Sequence, residues 1–163
     1  MKLIITTLST LLFSMTTLAA TPAEQEHQNQ TMVVSLLSQP IEKKESCAKL
    51  GYIGYQNSLS GSYVTGNPGN IPKDPVKGYA WSLIAYHQIL TTHNQQIIDG
   101  QKHTLDYIEK TLQLNTVQKE EATKFANDII TQYGKSWPSV VEQMKYKDFP
   151  APCNLMGIEK PGK

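Results

Sequence analysis

The chain has 163 residues, 39% of them hydrophobic, and its 15 basic residues are all lysine, set against 14 acidic ones. That length allows one domain with a modest core. Near-neutral charge without a single arginine argues against nucleic acid and anionic membrane surfaces, because arginine supplies the fork that grips phosphates and base edges.

The first twenty residues read as a targeting segment. Lys2 is followed by an apolar run from Leu3 to Leu18, broken by Ser and Thr, and a small-residue end at Ala19–Ala20. This is the form of a secretory signal peptide, with cleavage expected after Ala19 or Ala20. The run is short for a membrane span and rich in hydroxyl residues. Cleavage removes Lys2 and leaves 14 basic against 14 acidic residues. No later apolar segment is long enough to span, so no stable membrane insertion is expected after cleavage, and the location is periplasmic or secreted.

Residues 21–31 (TPAEQEHQNQT) are polar without apolar period and read as a flexible leader. One helical domain is expected over 32–163. Its first run, Met32 to Leu37, is too short for periodicity to separate helix from strand, and Pro40 ends it. A helix is expected from Ile41 to about Ser58, with Gly51 and Gly54 marking close backbone approach. Ser58 to Pro72 (SLSGSYVTGNPGNIP) reads as a long Gly/Asn/Ser/Pro loop.

Asp74 then offers a helix cap and Pro75 suits a first helical turn. The helix to about Leu90 is apolar almost all round, with Val76, Tyr79, Ala80, Trp81, Leu83, Ile84, Ala85 and Tyr86, which demands neighbours on several sides. A third helix is expected from about Asn94 to Leu112, with Ile97, Ile98, Leu105, Ile108 and Leu112 inward. A fourth runs from Asn115 to Tyr133. Asn115 and Gln118 form a capping-box pattern, Ala122, Phe125, Ala126, Ile129, Ile130 and Tyr133 make the inner stripe, and Gly134 is the stop. The tail, 138–163, holds one short helix near Val140 to Met144.

The order CAKLGYIGY (Cys47 to Tyr55), Gly-containing loop, then IPKDPVKGYAWSLIA (Ile71 to Ala85) resembles the SEL-one-like repeat family, a branch of the tetratricopeptide-like helical hairpins. The likeness covers roughly 46–133, counting a terminal hairpin after the Tyr79–Ala80–Trp81 helix. It implies an all-α fold of antiparallel helical hairpins. In it, Leu50–Gly51 lie where the two hairpin helices touch. Gly78 stands where the family commonly has Ala, costing helix propensity without altering the packing. Arrays of this kind normally need about three units; here one repeat and a terminal hairpin would be helped by a disulfide.

Two cysteines, Cys47 and Cys153, remain in what reads as an exported chain, and their even count favours an intramolecular bond over two free thiols or an intermolecular bridge.

The chemistry-bearing residues are sparse. His27, His87, His93 and His103 lack metal-ligand spacing, and no HExxH or CxxC occurs. No serine lies in GxSxG or SxxK. Glu120, Glu121 and Asp128 fall on the outer side of their helix, where carboxylates are usually solvated. No catalytic residue, metal site or cofactor is therefore expected.

The repeat resemblance implies a noncatalytic scaffold for a protein partner, in its sharper version an immunity protein against a toxin delivered to the periplasm. The competing classes are a hydrolase of cell-wall or antibiotic substrates and a structural accessory of an envelope complex. Tyr55 and Tyr63, flanking the expected loop, are the first candidates for partner anchors, since tyrosine is enriched at interface hot spots.

Overall fold

The computed structural model describes residues 38–66, 71–145 and 153. The expected signal peptide, leader and Met32–Leu37 run lie outside these residues. Among the described residues six α-helices follow in order: α1 Ile41–Lys49, α2 Ile53–Thr65, α3 Pro75–Leu90, α4 Gln95–Leu112, α5 Thr116–Tyr133 and α6 Val140–Lys145, with a 3-10 turn at Gly134–Ser136. The fold is all-α.

Local chemistry sets several of the helix starts. The Asp74 carboxylate accepts from the Lys77 backbone N–H at 3.0 Å, and Pro75 occupies the first turn of α3. Asn94 caps α4 by accepting from the Ile97 N–H. At α5 the capping box is complete: Asn115 accepts from the Gln118 N–H at 2.9 Å, and the Gln118 side chain accepts from the Asn115 N–H at 3.1 Å. Gly100 leaves α4 unbroken. Gly134 does not stop α5 with a left-handed turn; its φ is −57°, and the helix tightens into the 3-10 turn.

Helix α3 is the hub, packing against α2, α4 and α5, while α1 lies on α2. Its all-round apolar surface is thereby covered. Helices α2 and α3 run antiparallel. Ser60 Oγ donates to the Gly78 carbonyl at 2.8 Å near one end, and Gln88 Nε2 reaches the Gly51 carbonyl at 2.7 Å at the other. The largest apolar cluster joins Cys47, Tyr55, Leu59, Trp81, Ile84, Ala126, Ile129 and Cys153. Phe125 meets the Trp81 ring edge-on, centroids 6.0 Å apart. A second cluster gathers Tyr79, Ala80, Leu105, Ile108 and Ala122, and a third Ile53, Ala85, Ile89 and Val140.

Two expectations are corrected. The single helix over Ile41 to Ser58 is two helices, broken at Leu50–Tyr52, where Gly51 takes φ +85°. That left-handed conformation suits glycine, and a Cβ there would fall on the Trp137 ring. Leu50 is exposed at the break rather than held between hairpin helices.

The expected loop from Ser58 to Pro72 is helical as far as Thr65, so the α2–α3 connection is Gly66 to Asp74. Ser58, Ser60, Ser62, Tyr63 and Val64 are buried. Serine and glycine lower helix propensity, but tertiary packing overrides it. Gly66, with φ +67°, ends the helix, and the Asp74 N–H donates to the Tyr63 carbonyl at 2.9 Å across the connection.

Candidate interaction surface

Cys47 and Cys153 form the disulfide, their Cα atoms 5.7 Å apart and both residues wholly buried. It ties α1 to the C-terminal tail, and the Tyr55 hydroxyl donates to the Cys153 carbonyl at 3.2 Å beside it.

The structure does not present Tyr55 and Tyr63 as surface anchors. They are 1% and 4% exposed. Both belong to α2 rather than flanking a loop, and their rings face the core. Tyr63 spends its hydroxyl on Glu45 at 2.7 Å, and the Lys77 amine lies 5.3 Å from its ring centroid. Burial and the Glu45 carboxylate raise the Tyr63 pKa.

The polar residues inside the helix assembly are mostly hydrogen-bonded pairs. Asn57 and Gln101 exchange amide bonds between α2 and α4 at 3.0 and 3.4 Å. Tyr79 donates to Glu109 at 3.2 Å, and Lys119 pairs with the same carboxylate, tying α3, α4 and α5 together.

Lys44, buried on α1, donates to Ser62 Oγ on α2 at 3.2 Å, and burial holds its amine below the usual lysine range. A serine hydroxyl beside a lysine amine is the raw material of acyl transfer. Here both side chains are buried, with Ser62 on the inner side of α2. His87, His93, His103, Glu120, Glu121 and Asp128 are exposed. Among the described residues, no group of three His, Cys, Asp or Glu side chains could hold a metal ion. Nor is any helix among them long and apolar enough to cross a membrane.

One end of the molecule carries a constellation that sequence reasoning missed. The Gly51 carbonyl accepts from Gln88 Nε2 and Gln143 Nε2, both at 2.7 Å. The same two amides reach the Pro138 carbonyl at 3.2 and 3.1 Å. Gln143 Oε1 accepts from the Ile53 N–H at 3.1 Å, satisfying a donor in the first turn of α2. Trp137 Nε1 donates to the Lys49 carbonyl at 2.8 Å, at the end of α1. This knot binds the α1–α2 break to the end of α3 and the start of α6.

Three large aliphatic residues stand exposed within two positions of the knot's members: Leu50 at 47%, Leu90 at 42% and Val141 at 42%. Their neighbours Gly51, Ile89 and Val140 are buried, so their backbones are held firmly. A fixed backbone presenting aliphatic side chains to water is suited to a partner's apolar surface, because little ordering entropy remains to be lost on contact. Nothing in the sequence identified this end: the signal is long-range, joining residues up to 92 positions apart. No family model, no curated protein and no solved structure matches the chain.

Proposed function

We propose that this chain is an exported, noncatalytic protein-binding module that meets its partner at the end built around Gly51. The observation that carries the reading is the exposure of Leu50, Leu90 and Val141 beside the buried hydrogen-bonded knot. The resemblance of CAKLGYIGY and KGYAWSLIA to SEL-one-like repeats supports a scaffold role. The amino-terminal signal pattern and the disulfide support a periplasmic or secreted location. The sharper form of the proposal makes the partner a toxin delivered to the periplasm and this chain its immunity protein; that step rests on analogy between scaffolds.

The test is capture from the native periplasm with wild-type protein and with a Leu50→Ser/Leu90→Ser/Val141→Ser variant, read by mass spectrometry. All three positions are exposed, so the variant should keep its circular dichroism and melting transition. It should retain a partner found with wild type at least about tenfold less well, equivalent to about 1.4 kcal/mol. Equal retention would place the interface elsewhere. A protein that captures nothing but turns over a cell-wall substrate would replace the binding reading with an enzymatic one.

A further inference from the structure

We draw no further inference here: the strongest candidate, the Lys44–Ser62 pair in the seam between α1 and α2, sets an amine 3.2 Å from a hydroxyl, yet both side chains are buried and the pair is a packing contact between the two helices.

Discussion

Trp81 is almost wholly buried and packs in the cluster that also holds Cys47, Tyr55, Leu59 and Cys153, with Phe125 against its edge. Truncating so large a side chain in a closed interior leaves a cavity its neighbours cannot fill. Trp81→Ala should cost roughly 3–5 kcal/mol. A denaturant midpoint equal to wild type would refute its central place.

Gly78 makes the opposite point. From sequence it is an imperfect helix residue that Ala would improve by about 1 kcal/mol. In the fold, a Cβ there would lie 2.8 Å from Val64 Cγ2 and 3.1 Å from the Val64 backbone nitrogen. The backbone contact cannot rotate away, so overpacking outweighs propensity, and Gly78→Ala should destabilise by about 1–3 kcal/mol. A gain in melting temperature would show that α2 and α3 separate easily.

Tyr79 supplies a pH dependence. Burial, the Glu109 charge and the hydrogen bond to it push its hydroxyl up to about 12. The folded state keeps this proton where the unfolded chain, near pH 10, has released it. The stabilisation is therefore whole below about pH 10 and is lost as pH climbs towards 12. Tyr79→Phe should flatten that alkaline decline when midpoints are measured across the same range. An unchanged slope would assign the decline to other groups, Tyr63 first, whose pKa is also raised.

At the scale of elements, the starts of α3, α4 and α5 were legible because a cap is local: Asp74, Asn94 and Asn115 each bond to a backbone N–H three residues on. The inner stripe of α5 was legible for the same reason, since Ala122, Ala126 and Ile129 repeat on one face. The second half of α2 was not. Its SLSGSYVT run has the composition of a loop, and its helix depends on distant groups: Gly78 receives the Ser60 hydroxyl and Lys44 reaches Ser62. The reading of one helix from Ile41 to Ser58 failed in a similar way, because it put Gly51 in a helix interior that the structure breaks at φ +85°.

The amide knot lay furthest from view, for glutamine has no periodicity that marks it as buried. Gln143→Ala removes the acceptor for the Ile53 N–H and one of two donors to the Gly51 carbonyl. Leaving such a buried group unmet costs about 1–3 kcal/mol. The variant should be less stable by about that much, with faster amide exchange at Ile53. Wild-type protection of the Ile53 amide would show that the knot does not hold the start of α2.

For the whole molecule, the decisive link is the one between the two extremes of the described chain. The disulfide spans 106 positions and fastens Cys153 into the cluster around Trp81 and Tyr55. The six described helices, with polar groups threaded between them, make a modest core, and a domain of this size holds only about 5–15 kcal/mol of net stability. Closing a loop of about a hundred residues removes freedom from the unfolded chain worth on the order of 3–5 kcal/mol. Losing the bond should therefore take a large share of the stability while leaving the helices, whose own contacts lie elsewhere, in place. The Cys47→Ser/Cys153→Ser variant should keep the far-ultraviolet circular dichroism of wild type at 25 °C and unfold at a clearly lower denaturant concentration.

Because the bond leaves neither cysteine with a thiol, alkylation of the denatured but unreduced protein should label neither. Stoichiometric labelling of both thiols in exported protein would remove the bond from the account. An unchanged midpoint in the double serine variant would mean that the tail stays docked through contacts such as Tyr55 to the Cys153 carbonyl without it.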